Sequence, residues 1–101
     1  PREADFVARV GGEEFAVILP DFALEHAQKK AEDCLNRIRQ EVFIHDDHEL
    51  RFTVSMGIAQ WDGQESVDQW MKRADEALYN SKNTGRNKYT LAEPKIKAVA
   101  S

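Results

Sequence analysis

Two apolar segments joined by a pair of glycines constrain the fold of this chain more than any other feature. Residues 6–10 alternate in the manner of a strand, and residues 15–19 are almost wholly apolar. Gly11 and Gly12 suit a tight turn between them, because glycine adopts the positive φ angles that hairpin turns require. We predict an antiparallel hairpin whose second strand, lacking a polar face, is covered on both faces and lies inside a sheet.

The period of the apolar residues changes to that of a helix after Pro20 and Asp21, where we expect the second strand to end and the helix to begin. Steps of three and four residues then predict one apolar helix face, formed by Leu24, Ala27, Ala31, Leu35, Ile38 and Val42. A polar loop containing His45 to His48 follows. These residues have metal-binding side chains, but no partner lies at a suitable spacing, so we interpret the segment as solvated.

The second half of the chain predicts another strand, helix and strand. Residues 51–59 alternate strictly, and Ser66 with Gln69 forms a capping box for a second helix. Gly85 is expected to end that helix, and Asp75 within it is interpreted as a hydrogen-bonding structural residue. Its inward face comprises Val67, Trp70, Met71, Ala74, Ala77, Leu78 and Ser81. The order β-β-α-β-α-β predicts an α+β domain over residues 1–92, with helices packed on a mainly antiparallel sheet, and a loose tail over residues 93–101.

Composition excludes several functional classes. The net charge of −4 among 101 residues argues against a nucleic-acid-binding protein, which needs a basic surface. No apolar run is long enough to cross a membrane, so we expect no membrane contact by this segment. Cys34 is the single cysteine and permits no internal disulfide, which favours the reducing cytoplasm. The segment can equally be the cytoplasmic part of a larger membrane or response-regulator protein.

Glu13 and Glu14 lie at the tip of the predicted hairpin, directly after Gly11 and Gly12. Their side chains should point to opposite faces, because successive residues of a strand do so. A carboxylate beside bare glycine backbone is suited to Mg²⁺, which prefers oxygen ligands, and to the approach of phosphate. The alternative is an ordinary solvated turn with two surface glutamates.

A second group of candidate residues follows the second helix. Lys82 ends the helix, and Arg86 comes directly after Gly85. Two such cations are suited to a polyphosphate. The alternative is electrostatic, since cations at a helix C-terminus are favoured by the helix dipole.

Three segments in order, RVGGEEF, TVSMGIA and RADEALYNSKNTGRN, resemble the signatures of the GGDEF family of diguanylate cyclases. The resemblance covers residues 2–89 and implies a palm-like nucleotidyl-cyclase fold. It implies that Glu13 is a metal ligand and the base for a ribose 3′-hydroxyl, and that Glu14 supports the metal and phosphate geometry. Gly11 and Gly12 would then lie against bound GTP.

By the same resemblance, Lys82 and Arg86 would hold the triphosphate of GTP. The implied reaction joins two GTP molecules, bound in two facing domains of a homodimer, into cyclic di-GMP with release of pyrophosphate. The implied cofactor is Mg²⁺ or Mn²⁺. The family's signature also has an RxxD site for product inhibition, which Arg2 and Asp5 match. Asp33 stands where some members carry a supporting arginine, so weakened inhibition is expected.

The family's domain has an N-terminal half that carries a metal-binding aspartate and the residues that read guanine. The resemblance begins beyond that half, so we expect residues 1–92 to be the C-terminal part of a single GGDEF domain and this chain by itself to be inactive. Two functions therefore remain open for the intact protein. The first is a diguanylate cyclase, and the second is a catalytically silent GGDEF module that senses cyclic di-GMP or GTP.

Overall fold

The computed structural model describes residues 3–11 and 15–93 and has a mixed α+β fold. In chain order, its elements are β1 (Glu3–Gly11), β2 (Phe15–Ala23), α1 (Leu24–Gln40), β3 (Phe43–His45), β4 (His48–Leu50), β5 (Ser55–Gln60), α2 (Val67–Asn83) and β6 (Tyr89–Leu91). Four strands form one sheet in the order β2-β1-β5-β6, and β3 pairs with β4 separately. Only the β5–β6 pairing is parallel within these elements, so the prediction of a mainly antiparallel sheet is confirmed.

The two long helices cover opposite faces of the sheet. This arrangement follows from the alternation of side chains along β1, because neighbouring residues of a strand point to opposite sides. One core unites Phe6, Ala8, Val10, Met56 and Ile58 of the sheet with Ala27, Ala31 and Leu35 of α1. The other unites Val7 and Ala59 with Trp70 and Ala74 of α2. Among the described residues, neither helix has the length and apolar character needed to cross a membrane.

Within the part of the chain that the structure describes, the second predicted strand has a partner on one side only. β2 is an edge strand of the described sheet, and Phe15 and Ile18 are each 52% exposed. The strand also continues through Pro20 to Ala23 instead of ending there, because its ladder with β1 resumes beyond a bulge, where Glu3 pairs with Ala23. A proline is tolerated at such an edge. An apolar run indicates that both faces can be covered, but it does not identify the segment that covers them.

The segment predicted as a polar loop contains a short hairpin. β3 and β4 pair through a turn at Asp46 and Asp47, whose φ angles are 51° and 65°, and His45 lies opposite His48. All residues of the hairpin are exposed, which confirms the solvated interpretation. In residues 3–11 and 15–93, no group of three or more His, Cys, Asp or Glu side chains could hold a metal ion. The following strand begins at Ser55, four residues later than the alternation predicted.

Helix α2 has the predicted boundaries. Ser66 and Gln69 form both hydrogen bonds of the capping box, so the predicted start is confirmed. The inward face is also confirmed except at Val67, which is 66% exposed because it lies in the first turn, before the helix reaches the sheet. The predicted strand at residues 89–91 is confirmed as β6.

Gly57 of β5 determines how closely α2 approaches the sheet. A Cβ atom at this position would overlap the carbonyl oxygen of Ala74 and the amide nitrogen of Leu78, which are both backbone atoms of α2. Because backbone atoms cannot rotate away as a flexible side chain can, only glycine permits this contact. One turn further along α2, the hydroxyl of Ser81 donates a 2.8 Å hydrogen bond to the carbonyl oxygen of Met56. Helix and strand are therefore held in backbone contact.

We predict that Gly57→Ala lowers the free energy of unfolding by about 3 kcal/mol, because the added methyl group must push α2 off the sheet. Gly63→Ala is the matched control. Gly63 has a φ of 89° but has open space around its Cβ position, so it should lose only about 1 kcal/mol through backbone strain. Urea denaturation measures both values. A loss at Gly57 no larger than the loss at Gly63 would contradict the close contact.

Candidate functional site

Lys82 lies against the end of β1, where the predicted glycine turn begins. It belongs to the last turn of α2 and is half-buried. Its Cε and Nζ atoms lie 2.8 Å and 3.3 Å from the position that a Cβ atom on Gly11 would occupy. Any larger residue at position 11 would therefore displace the lysine stem. The fold thus brings Gly11 and Lys82, two predicted site residues, into direct contact.

A charged pair fixes the same end of β1 to α2. The Nε atom of Arg9 on β1 donates a hydrogen bond of 2.7 Å to Oδ1 of Asp75 on α2. This pairing confirms the structural role predicted for Asp75. Arg9, Asp75, Leu78, Tyr79 and Lys82 line a surface recess of about 190 Å³. Lys82 thus contacts the end of β1 at Gly11 and also borders this recess.

Arg86 is positioned by the turn that ends α2. The backbone N–H of Arg86 donates a hydrogen bond of 2.8 Å to the carbonyl oxygen of Ser81, and Gly85 has a φ of 122°. This six-residue closure is the Schellman motif, which needs a residue with positive φ after the helix. The role of Gly85 as the end of the helix is confirmed. Arg86 is exposed directly after the turn.

The remaining cation of this segment has another role. Lys88 Nζ donates hydrogen bonds to the carbonyl oxygen and the hydroxyl group of Thr84, so Lys88 caps the carbonyl end of α2. The helix-dipole interpretation therefore fits Lys88 well.

Four of the predicted site residues, Arg2, Gly12, Glu13 and Glu14, lie outside the described residues. The donor chemistry of Glu13 suits a hard divalent cation, since a carboxylate supplies the oxygen ligands that Mg²⁺ prefers. A single carboxylate does not complete such a site. Further oxygen ligands must come from phosphate groups, water or other protein residues.

Asp5 lies near the opposite end of β1 from Gly11. The strand begins at Glu3, three residues earlier than the alternation predicted. The register of the β1–β2 ladder shifts between Ala4 and Phe6, as it does at a β-bulge. Asp5 Oδ1 accepts a hydrogen bond of 3.0 Å from the backbone N–H of Asp21, which fixes the carboxylate at the surface.

A second recess, which the sequence did not predict, lies beside Asp5. It has a volume of about 480 Å³ and is lined by Ala4, Asp5, Asp21, Gln60, Trp61, Asp62 and Gly63. One sequence signal lies at this recess, because Asp62 and Gly63 follow the third predicted strand and both residue types favour turns. That signal indicates a turn, but it does not indicate that the turn lies beside a residue 57 positions earlier.

The loop that borders this recess is held by a buried ion pair. Arg73 donates two hydrogen bonds to the Glu65 carboxylate, at 2.9 Å and 2.6 Å, and another to the carbonyl oxygen of Gln60. The Glu65 side chain is fully buried. The hydrogen bonds from Arg73 lower the pKa of Glu65 below its ordinary value of 4.5, although burial opposes the shift.

Comparison with known proteins identifies the family of this fold. A family model described as diguanylate cyclase, GGDEF domain, matches residues 1–88. Diguanylate cyclase DgcM of Escherichia coli (strain K12) is 46% identical over 92 residues, which are 90% of this chain and 22% of that protein. Diguanylate cyclase DgcP of Pseudomonas aeruginosa is 40% identical over 91 residues, which are 90% of this chain and 14% of that protein.

A solved structure of the same family has the same fold. The GGDEF domain of DgcB from Caulobacter crescentus, in complex with c-di-GMP, matches with a TM-score of 0.77 and 35% identity, over 86% of this chain and 53% of that chain. The architecture is thus that of a GGDEF cyclase domain, and this chain belongs to the GGDEF family. It spans less than a quarter of the length of the curated relatives DgcM and DgcP.

We predict that the Glu65–Arg73 pair makes the fold sensitive to acid. Because the pKa of Glu65 is lowered in the folded state, the pair stabilises the fold above the unfolded-state pKa, about 4.5. That contribution is lost as the pH falls through the lower folded-state pKa. The free energy of unfolding, measured by urea denaturation from pH 6 to pH 3, should therefore fall more steeply in the wild type than in Glu65→Gln.

Glu32→Gln is the matched control for this titration, because Glu32 is an exposed carboxylate on α1. It should keep the steep wild-type dependence on pH. If Glu65→Gln followed the wild-type curve throughout this range, the ion pair would not be the source of the acid sensitivity.

Proposed function

We propose that the full-length protein containing this chain is a diguanylate cyclase that condenses two GTP molecules into cyclic di-GMP. The observation that carries the proposal is the contact of Lys82 with Gly11, which brings a cation to the start of the glycine turn. Membership of the GGDEF family and the similarity to DgcM and DgcP support the same reaction. The alternative function is a catalytically silent sensor. Such a sensor would need the residues that bind the nucleotide, but it would not need Glu13 as a base.

The chemistry assigned to this chain consists of binding, orientation and proton removal. Lys82 and Arg86 bind the triphosphate of GTP, while Gly11 and Gly12 let it approach the backbone. Glu13 accepts the proton of the 3′-hydroxyl, and that oxygen forms a bond to the α-phosphorus of a second GTP. The bond from this phosphorus to the β-phosphate oxygen breaks, and pyrophosphate leaves. A second transfer closes the ring, which requires two domains to face each other in a homodimer.

A divalent metal ion, Mg²⁺ or Mn²⁺, fits the donor chemistry of Glu13, and Glu14 supports its geometry. When bound, such an ion stabilises the negative charge that develops on the phosphate oxygens. The carboxylate of Glu13 and the phosphate oxygens of GTP supply ligands of the required type. We place the reaction in the cytoplasm, where the lone Cys34 stays reduced.

We also propose that cyclic di-GMP binds at Arg2 and Asp5 and inhibits the enzyme. Asp5 and Gly11 are six residues apart on one strand, a distance of about 20 Å at 3.3 Å per residue. A ligand at Asp5 therefore does not overlap GTP at the glycine turn, and inhibition should not be competitive with GTP. The complex of the DgcB domain with c-di-GMP supports the proposal by similarity. Asp33 stands where some members of the family carry a supporting arginine, so this site has no extra cation. We therefore expect weaker inhibition by cyclic di-GMP than in those members.

We predict that Glu13→Gln reduces turnover of GTP by orders of magnitude, because an amide cannot accept the proton and is a poorer metal ligand. The measurement is chromatographic detection of cyclic di-GMP formed by the full-length protein with Mg²⁺. Glu25→Gln, which changes an exposed carboxylate on α1, is the control and should leave turnover unchanged. Normal product formation by Glu13→Gln would remove Glu13 from the mechanism, and no product from the wild type would favour the sensor.

We predict that Lys82→Ala and Arg86→Ala each weaken GTP binding by about 1.5–3 kcal/mol, which is the typical contribution of a hydrogen bond to a charged group. Lys88→Ala is the matched control, because Lys88 already caps Thr84 and should bind GTP with little change. Titration calorimetry with a non-hydrolysable GTP analogue gives all three affinities. Equal affinities in the Lys82, Arg86 and Lys88 variants would assign the first two cations to the helix dipole alone.

A further inference from the structure

We propose that the recess beside Asp5 holds one guanine base of cyclic di-GMP and that the indole ring of Trp61 is the surface on which this base stacks. The inference rests on the proposed binding of cyclic di-GMP at Arg2 and Asp5, and it adds a binding residue to that site. Trp61 lies outside the RxxD segment and was not singled out by the sequence. Its assignment depends on the geometry of the recess.

The backbone brings the indole and the carboxylate to one recess. The N–H of Trp61 donates a hydrogen bond of 2.8 Å to the carbonyl oxygen of Asp5, which joins the end of β5 to the start of β1. Both residues line the recess of about 480 Å³. Trp61 remains 37% exposed, so part of the ring is accessible to a ligand. An aromatic surface therefore lies beside a carboxylate in a space large enough for a nucleobase.

The Trp61 ring is already fixed in place. Its Nε1 atom donates to the carbonyl oxygen of Glu65 at 3.2 Å, and its ring centroid lies 6.1 Å from that of Trp70. Asp62 Oδ1 accepts the backbone N–H groups of Gln64 and Glu65 at 2.8 Å and 2.7 Å, which closes the loop on itself. A ring that is held in this way loses little conformational entropy when a base stacks on it.

The polar groups of the recess select guanine among the bases. Asp5 Oδ1 is held by the N–H of Asp21, and Asp5 Oδ2 makes no hydrogen bond within residues 3–11 and 15–93. Guanine presents two adjacent donors, N1–H and N2–H, to a carboxylate, whereas adenine presents an acceptor at N1. Asp21 and Asp62 add negative charge to the lining, which disfavours phosphate inside the recess. The guanine base therefore enters the recess, and the phosphate groups of cyclic di-GMP remain outside the recess.

Binding of cyclic di-GMP to the full-length protein by titration calorimetry tests the proposal. Trp61→Leu should raise the dissociation constant about tenfold, because stacking on one base is lost. Trp61→Phe should raise it less than about threefold, since a smaller aromatic ring still stacks. Cyclic di-AMP should bind the wild type at least about tenfold more weakly than cyclic di-GMP, because the Asp5 carboxylate opposes N1 of adenine. The initial rate with GTP, before product accumulates, should be unchanged in both variants.

The outcomes separate this inference from the proposal on which it rests. Equal affinities of the wild type and Trp61→Leu would overturn the stacking role while leaving binding at Arg2 and Asp5 intact. Equal losses of affinity for cyclic di-GMP in Trp61→Leu and Trp61→Phe would also overturn the stacking role. They would show that Trp61 acts through the packing of its loop and not through contact with the base. Failure of the wild type to bind cyclic di-GMP, or equal binding by Arg2→Ala, would overturn the underlying site itself.

Discussion

The contact of Gly57 with the backbone of α2 is the constraint on which the rest of the structure depends. It allows the helix to lie so close to β5 that Ala74 and Leu78 meet the strand through backbone atoms. At this separation, Ser81 reaches the carbonyl oxygen of Met56 and Asp75 reaches Arg9 on β1. The last turn of α2 then falls beside Gly11, so the position of Lys82 depends on the absence of a side chain at residue 57.

Helix α2 connects the two candidate sites, which lie at opposite ends of β1. Near its N-terminus, Arg73 holds Glu65 and the carbonyl oxygen of Gln60, and so fixes the loop that carries Trp61. At its C-terminus, the Schellman closure at Gly85 determines where Arg86 leaves the helix. A displacement of α2 would therefore change both the recess beside Asp5 and the cations beside Gly11. This shared element would provide a physical connection between the proposed product site and the proposed substrate site.

Local sequence signals predicted local structure well. The Ser66–Gln69 capping box and Gly85 predicted the limits of α2, because each acts through hydrogen bonds within a few residues. The fold class followed from the order of the periodic segments. The edge position of β2 and the β3–β4 hairpin were missed, since apolar content does not specify which segment pairs with a strand. The Arg9–Asp75 bond and the Trp61 recess join residues more than 50 positions apart, and no local pattern indicates such contacts.

We propose that the glycine turn after β1 and the cations after α2 form one binding site for the triphosphate of GTP. The most direct measurement is a crystal structure of the full-length protein with a non-hydrolysable GTP analogue and Mg²⁺. We expect Lys82 Nζ and the Arg86 guanidinium to lie within hydrogen-bonding distance of phosphate oxygens, and the Glu13 carboxylate to bind the metal ion. A triphosphate bound away from Gly11, with Lys82 and Arg86 both directed to solvent, would contradict it.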